Sequence, residues 1–350
     1  MNYLTFFVLP FTFSLAESDL KKCFYVSSYH QGYAWSDSIE KELKNTLKDF
    51  CELKQFNMDT KRNTAEEFVK TSALKAKSII EEWQPDILII SDDNAAKYLV
   101  QPYYLNSAMP IVFCGINWTA KEYGFPTKNI TGIIEVAPIK KMLKHARKVS
   151  NGKRALYLGA NTFTENKNSQ YFKVTTQKMG IDLDISTVKT SEEWLNSYRS
   201  AQTNYDFIIL GSNAGILDWD PDYIANEVTL NTKIFSTTSS SWMMPYSIYG
   251  LIKLPNEQGE LAGKYVKKII SGTSPSELPI IKNKKWEIWI NEPLLKKTHL
   301  NIKWLPKNNL QVVEGEEMYS YEHSAADYNS IFMAICGTLL LLFIFRLITK

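Results

Sequence analysis

Short apolar runs alternate with amphipathic helical stretches along most of the chain, and this alternation restricts the fold more than any other feature. The strand-like runs of the first part are 23–26, 52–58, 86–90, 111–113 and 131–135. Helical patterns such as SDSIEKELKNTLKDF and TAEEFVKTSALKAKSIIEEW lie between the early runs, and Thr64 with Glu67 has capping-box spacing. Short apolar strands separated by helices are typical of a parallel sheet covered on both faces.

The same alternation begins again after a basic helical stretch from Pro138 to Val149. RALYLG, IDLDISTV, YDFIILG and KIFSTT read as strands, and Thr190 with Glu193 has capping-box spacing for an intervening helix. The sequence therefore predicts an α/β fold of two doubly wound parallel-sheet lobes. A hinge near TGIIEVAP joins them, and a cleft lies between them.

Both ends of the chain carry apolar segments. Residues 1–16 end in Ser-Leu-Ala and predict a cleaved export signal, although an N-terminal strand or membrane anchor is the alternative. Residues 328–348 form an apolar run that predicts one transmembrane helix, with a buried C-terminal helix as the alternative. Its basic end should face the cytoplasm, which places the lobes and a linker at 307–327 on the extracytoplasmic side of the cell membrane.

Charge and cysteine usage exclude several classes of function. The net charge of +3 comes from interspersed lysines and acids, so no basic face for nucleic acid is expected. Cys23 and Cys51 begin neighbouring predicted strands, which makes a disulfide between them geometrically plausible. Cys114 would be a buried free thiol, and Cys336 lies in the predicted membrane helix. No His/Cys cluster is present, so we expect neither a metal site nor a cofactor.

The segments that follow the predicted strands are rich in hydroxyls, amides, carboxylates and rings. Ligands of open α/β sheets bind beyond the carboxyl ends of the strands. The candidate ligand-binding residues at these ends are Ser28, Tyr29, Tyr33, Trp35, Asp92, Asp93, Asn94, Asn117, Trp118, Glu135, Thr162, Asn213 and Thr238.

These segments contain no lysine or arginine. An anionic group of the ligand is therefore expected to bind helix N-termini and hydroxyls. A cationic amine would meet Asp92, Asp93 or Glu135, with aromatic side chains around the remainder. A small zwitterion with an aromatic side fits best, and a neutral sugar or a nucleoside fits nearly as well.

Several candidates also have purely structural interpretations. Asp92 or the preceding serine would serve as a helix cap, Trp35 as a core residue, Asn117 or Asn213 as a turn residue, and Glu135 as a solvated hinge residue. Catalysis has weaker support, because the sequence contains no HExxH, GxSxG, P-loop or GxGxxG motif. A Ser28, His30 and Asp92 grouping is imaginable, but the sequence predicts a protein that is not an enzyme.

Several motifs resemble the substrate-binding proteins of ABC transporters, in the group that includes tryptophan and tyrosine binders. They are SDDNA, FCGINW, GILDWD and EQGELAGKYVKKIISGTSP. The resemblance implies a type I periplasmic binding fold with three crossing segments and hinge closure over a solute. It implies a first lobe of 17–134 and 249–278, and a second of 135–248 and 279–306. It points to Ser28, Tyr29, Asp93, Asn94, Asn117 and Glu135 as pocket residues, with Thr162, Asn213 and Thr238 from the second lobe.

The resemblance implies a membrane-tethered protein that closes on a small solute, amino-acid-like or aromatic, and presents it to an ABC importer. Similar domains also serve as the sensor portions of membrane signalling proteins. Only a few residues follow the predicted membrane helix. The alternative is therefore a ligand-sensing subunit that acts on a separate membrane signalling protein.

Overall fold

The computed structural model describes residues 20–302 and 310–313. The predicted export signal, the linker apart from residues 310–313, and the predicted transmembrane helix lie outside these ranges. Within the described ranges, no helix combines the length and the apolar character needed to cross a bilayer.

The first part of the chain builds a parallel sheet with helices on both faces. Its strands are β1 (Lys21–Ser27), β2 (Cys51–Asn57), β3 (Ile87–Ser91), β4 (Ile111–Asn117) and β5 (Ile130–Glu135). Its helices are α1 (Ala34–Leu47), α2 (Glu66–Trp83), α3 (Asp92–Ala95) and α4 (Gln101–Tyr103), with a π-helical stretch at Ala96–Val100 between the last two. The strand order β5-β4-β3-β1-β2 places β3 and β4 at the centre.

Strand β1 shows why this sheet is covered on both faces. Cys23 and Tyr25 pack in one hydrophobic cluster with α1, whereas Phe24 and Val26 pack in another with α2. Successive side chains of a strand point to opposite faces, so this uninterrupted apolar run serves two cores. Cys23 forms a disulfide with Cys51, and Cys114 is a buried free thiol, as the sequence predicts.

The second lobe repeats the pattern around its own core. Its strands are β6 (Arg154–Ala160), β7 (Asp182–Val188), β8 (Phe207–Leu210), β9 (Phe235–Thr238) and β10 (Tyr249–Lys253). Its helices are α5 (Ile139–Ser150), α6 (Phe163–Lys178), α7 (Ser191–Asn204) and α8 (Pro221–Asn231). The sheet order is β10-β9-β8-β6-β7, and all of these strands pair in parallel.

The chain then returns to the first lobe and crosses once more. The remaining elements are α9 (Pro255–Ile270), β11 (Ile281–Lys282), β12 (Trp286–Asn291), α10 (Glu292–Lys296) and β13 (Leu310–Val313). Helix α9 packs on α1, and β11 pairs with β5 in the first sheet. Strand β12 pairs antiparallel with β10, and β13 pairs with β12, both in the second sheet.

Two of the points at which the chain was expected to cross between the lobes differ in the structure. The return near Tyr249 is wrong, because residues 249–253 form β10 in the second sheet and the chain leaves that sheet only at Leu254. The crossing near Pro279 is also too early, because β11 still belongs to the first sheet and the crossing lies at 283–285. An apolar strand has the same composition in either lobe, so its pattern does not reveal which sheet it joins.

The two expected capping boxes have different outcomes. Thr190 accepts the backbone N–H of Glu193, whose carboxylate accepts the backbone N–H of Thr190, and a complete capping box starts α7. The Thr64 and Glu67 box is wrong, because α2 begins at Glu66 and its cap residue, Ala65, has no side-chain acceptor.

Gly259 sets the close approach of α9 to α1. A Cβ at this position would lie 2.6 Å from the carbonyl oxygen of Ile39 and 3.0 Å from Cβ of Glu42. We expect Gly259→Ala to lower the free energy of unfolding by about 1–3 kcal/mol, because the backbone of α1 must move away. Urea unfolding measures this, with exposed Lys268→Ala as the control. A Gly259→Ala protein as stable as the control would contradict the packing.

Candidate functional site

A cavity of about 40 Å³ lies between the lobes, beyond the carboxyl ends of the central strands. Its first-lobe lining is Tyr29, Tyr33, Trp35, Lys61, Asp92, Asn117 and Glu135. Its second-lobe and crossing-segment lining is Ala137, Tyr157, Thr164, Glu165, Asn168, Phe172, Leu210, Gly211, Ser212, Ser239, Ser240, Trp242 and Lys253. The cavity is therefore shared between the two sheets, at the edge where parallel sheets commonly bind ligands.

Six of the residues predicted from the sequence line this cavity. They are Tyr29, Tyr33, Trp35, Asp92, Asn117 and Glu135. All six come from the first lobe and follow or end β1, β3, β4 and β5. The expectation that ligands bind beyond the carboxyl ends of the strands therefore identifies most of the first-lobe lining of the cavity.

The other seven predicted residues lie outside this lining; they are Ser28, Asp93, Asn94, Trp118, Thr162, Asn213 and Thr238. The hydroxyl of Ser28 donates to the last carbonyl of β3 and accepts a backbone N–H of α3. The amide of Asn94 donates to Thr60, and Thr238 accepts the backbone N–H of residue 240. These side chains hold the strand-end turns in position.

Asp93 is fully engaged by protein groups. One carboxylate oxygen accepts hydrogen bonds from the hydroxyl of Tyr123 and from Nζ of Lys167, both at 2.8 Å. The other accepts from Nδ2 and the backbone N–H of Asn117, at 2.8 and 3.3 Å. Asp93 is buried, and two of its four hydrogen bonds hold Asn117 at the cavity wall. The carboxylate therefore positions a residue of the cavity wall without lining the cavity itself, and it also binds Lys167 of the opposite lobe.

Further contacts between the lobes surround the cavity. The ring of Trp118 stacks on Tyr171, with ring centroids 4.4 Å apart, and its Nε1–H donates to Oδ1 of Asn168 at 2.8 Å. The hydroxyls of Tyr29 and Thr164 lie 3.4 Å apart. All three contacts join first-lobe turns to α6, so the structure shows the lobes in contact around the cavity.

Asp92 lines the cavity, and one of its two carboxylate oxygens is free to accept a hydrogen bond from a ligand. It is 2% exposed, and its Oδ2 has no hydrogen-bond partner in the structure. Its φ of 69° is in the left-handed region, which is unusual for a residue other than glycine. Burial raises the pKa of Asp92 well above its ordinary value; Glu135 adds to this effect and Lys61 opposes it. Asp92 starts α3, but the preceding serine makes no capping hydrogen bond.

Two lysines line the cavity, and the expectation of a site without lysine is wrong. Lys61 lies in the turn after β2, and its Nζ stands 4.5 Å from the ring centroid of Tyr29 and 5.6 Å from that of Tyr33. Burial lowers its pKa, against the effect of the nearby carboxylates. Among the described residues it forms no ion pair or hydrogen bond within contact distance. Lys253, the last residue of β10, is buried and paired with Glu135.

Glu165 is a second-lobe carboxylate in the cavity lining that is not among the residues predicted from the sequence. It lies in the first turn of α6, where Thr162 caps the helix by accepting its backbone N–H. One oxygen accepts from the hydroxyl of Tyr157 at 2.7 Å and from the backbone N–H of Ser212 at 3.0 Å. The other accepts from Nδ2 of Asn168 at 2.9 Å. The capping pattern of Thr162 with Glu165 was the available signal for this residue.

The Ser28, His30 and Asp92 grouping considered for catalysis does not form. Ser28 donates its hydroxyl to a backbone carbonyl, and Nδ1 of His30 lies 3.6 Å from Oδ1 of Asp59. No hydrogen bond joins Ser28 to His30 among the described residues. The Ser28, His30 and Asp92 triad imagined from the sequence is therefore not a nucleophile with an attached base.

The sequence family of the chain follows from a comparison with family models. The model for the ABC transporter substrate binding protein family matches residues 34–305, which include the elements of both lobes from α1 to α10. The chain belongs to this family. The comparison with curated proteins gives no match.

Solved structures of other proteins share the fold of this substrate-binding protein. One is an ABC domain in complex with L-Trp from Streptococcus pneumonia, at 15% identity and a TM-score of 0.66, covering 83% of this chain and 100% of that one. Another is a ligand-free, open substrate-binding protein with adhesive properties from Clostridium difficile, at 16% identity and a TM-score of 0.62, covering 85% and 100%. A conserved domain protein from Vibrio cholerae has 16% identity, a TM-score of 0.62 and coverage of 84% and 100%. The two-lobed type I periplasmic binding fold is thus shown.

Proposed function

We propose that this substrate-binding protein closes its lobes on a small zwitterion with an amino-acid-like head and presents it to an ABC importer. One observation carries the proposal: the cavity holds an acidic and a basic side chain that lack hydrogen-bond partners among the described residues, and each can form an ion pair with a zwitterion. Among the described residues, Oδ2 of Asp92 has no hydrogen-bond partner, and Nζ of Lys61 makes no hydrogen bond or ion pair but lies over the rings of Tyr29 and Tyr33. A ligand ammonium satisfies Asp92 while a ligand carboxylate satisfies Lys61, because buried charges require partners.

The other charged groups of the cavity support this assignment. Glu135 is occupied by Lys253, and Glu165 accepts three hydrogen bonds from protein groups. The two groups without partners are therefore the ones left for the solute. Aromatic faces of Tyr29 and Tyr33 stand beside Lys61, and Nε1 of the buried Trp35 has no hydrogen-bond partner. A neutral sugar would leave both charges unpaired, so a zwitterion fits better than a sugar or a nucleoside.

The proposal places the protein on the extracytoplasmic face of the cell membrane, tethered by the predicted helix at 328–348. The apolar sequence of that segment and its basic end support this placement. Membership of the ABC transporter substrate binding protein family supports an ABC permease as the partner. A tether on the outer face would keep the solute-binding lobes near that permease.

A thermal-shift screen of the full chain in mild detergent tests the proposal. Amino acids, the matching decarboxylated amines, sugars, nucleosides and phosphate are the probes. We expect an amino acid to stabilise the protein by roughly 2.7 kcal/mol at 100 times its dissociation constant. The decarboxylated amine should bind about tenfold more weakly, because it leaves Lys61 unpaired, and Lys61→Met should remove that difference. A shift with phosphate and with no amine would overturn the proposed chemistry.

A further inference from the structure

Charge is distributed unevenly over the second lobe. From residue 139 to residue 180, a stretch that contains α5 and α6, the chain has ten lysines and arginines and a single acid, the buried Glu165. From residue 191 to residue 231, which contains α7 and α8, it has seven acids and a single base, Arg199. The small net charge of the whole chain therefore conceals two helix pairs of opposite charge.

The topology of the second sheet places these helix pairs on opposite faces. The chain runs from β6 outward to the edge strand β7 through α6, and then back across the sheet to β8 and β9 through α7 and α8. Because such connections are right-handed, the reversal of direction moves the helices to the other face. Arg147 of α5 donates to the carbonyl oxygen of Met179 at the end of α6, at 3.1 Å. The hydroxyls of Tyr198 in α7 and Thr232 at the end of α8 lie 2.8 Å apart.

Exposed lysines cover the outer side of α5 and α6. The side of α5 toward the sheet is apolar, with residues such as Met142 and Leu143 buried. Like charges four residues apart on a helix repel each other, so helix stability does not explain the lysines of α5. All but Lys148 form no ion pair with another described residue. The basic face is defined by five exposed lysines: Lys140, Lys144, Lys148, Lys173 and Lys178.

The described chain ends on a strand next to one that α5 contacts. Nζ of Lys141 in α5 lies 5.5 Å from the ring centroid of Trp286, the first residue of β12. Strand β13 pairs with β12 and ends at Val313. Residues 314–327 separate Val313 from the predicted membrane helix, and a segment of this length spans at most about 50 Å. The second lobe is therefore within reach of the bilayer surface.

We propose that the basic face docks the second lobe onto anionic phospholipid headgroups of the membrane that holds the tether. This inference rests on the tether given under the proposed function. An anionic bilayer attracts each lysine near its surface, by about fivefold in affinity, and repels the acidic face formed by α7 and α8. The two faces together therefore favour one orientation of the lobe. The central cavity lies beyond the strand ends and not over this face, so docking leaves it uncovered.

Lysine acetylation of the full chain in nanodiscs, read residue by residue with mass spectrometry, tests the docking. Nanodiscs of phosphatidylcholine that contain phosphatidylglycerol are compared with nanodiscs of phosphatidylcholine alone. We expect Lys173 and Lys178 to react at least about threefold more slowly in the anionic nanodiscs at low salt. The difference should vanish at about 1 M salt, where the Debye length falls to about 3 Å. Exposed Lys233, which follows α8, should react equally in both.

A triple variant, with Lys140→Gln, Lys144→Gln and Lys148→Gln, removes three charges from the basic face without altering the cavity lining. It should abolish the slow acetylation of the two α6 lysines. Urea unfolding shows whether the variant keeps the stability of the wild type. The control variant loses the same charge from exposed positions on the first lobe, through Lys75→Gln, Lys128→Gln and Lys268→Gln, and should retain the slow acetylation.

Three outcomes would overturn docking on lipid. Acetylation that is equally slow in neutral nanodiscs would mean that another part of the chain or a second copy covers the basic face. Slow acetylation that persists in the triple variant, or that is lost equally in the control, would show that these lysines do not carry it. Co-elution of the chain with nanodiscs at about 1 M salt tests the tether separately. Release there, with slow acetylation at low salt, would overturn the tether and still support the docking.

Discussion

Asp92→Asn is expected to weaken binding of an amine-bearing solute at least 100-fold, or about 2.8 kcal/mol, without lowering the stability of the ligand-free protein. The substitution keeps the shape of the side chain and replaces the carboxylate whose buried Oδ2 has no hydrogen-bond partner in the described part of the chain. The new amide would direct a donor toward the ligand ammonium. Calorimetry with the solute found by thermal shift measures the first effect, and urea unfolding measures the second.

The stability of the ligand-free protein should respond to pH through the same residue. Burial raises the pKa of Asp92 in the folded state, so the folded protein retains this proton at pH values where the unfolded chain has lost it. The associated stability is fully present below the ordinary pKa and is lost as the pH rises toward the raised one. Asp92→Asn should therefore show a smaller loss of stability above about pH 4.

Asp93→Asn is the matched comparison, because the two acids are adjacent and both buried. Asp93 accepts four hydrogen bonds from protein groups, including the ammonium of Lys167. Asp93→Asn should lower the free energy of unfolding by about 2–3 kcal/mol, since charged hydrogen bonds are lost. If Asp92→Asn destabilised the protein as strongly and left binding intact, Asp92 would be a structural residue and not a ligand contact.

This contrast shows how far the sequence defines the site. Alternating strands and helices predict two sheets. Both Asp92 and Asp93 are selected as candidates because they follow the carboxyl end of a predicted strand. Asp92 lines the cavity and Asp93 does not, and the pattern of the sequence gives no signal that separates the two. Lys61 was missed because it follows the edge strand β2, and Glu165 because it comes from the first turn of a helix. Those positions become part of the cavity only when the lobes meet.

The same limit applies to the hinge. Residues 249–253 have the pattern of an apolar strand. That this strand pairs with β9 in the second sheet, and not with a strand of the first sheet, is determined by the tertiary structure. The consequence is functional, because it makes Lys253 the last residue before the crossing at Leu254. Glu135 is likewise the last residue of β5, directly before the crossing at Val136. The ion pair therefore ties two crossing segments together, and Asn283 bonds both backbone groups of Val136 from the third.

Lys253→Met is accordingly expected to lower the free energy of unfolding by about 3–5 kcal/mol at pH 8, because it leaves Glu135 buried without its partner. Burial already raises the pKa of Glu135, and Lys253 opposes that rise. Without the lysine the pKa of Glu135 in the folded state increases further. The folded protein then takes up a proton as the pH falls, so the deficit should shrink between pH 8 and pH 5.

The double substitution Glu135→Gln with Lys253→Met distinguishes a lost charge pair from lost packing. It removes the isolated charge while keeping both side-chain volumes, and most of the stability should return. Lys264→Met is the surface control, because its pair with Glu260 is largely exposed and should contribute less than about 1 kcal/mol. Urea unfolding of the wild type, Lys253→Met, the double variant and Lys264→Met at both pH values measures these differences. A Lys253→Met protein no less stable than the control, or a deficit independent of pH, would show that the pair does not hold the crossing segments together.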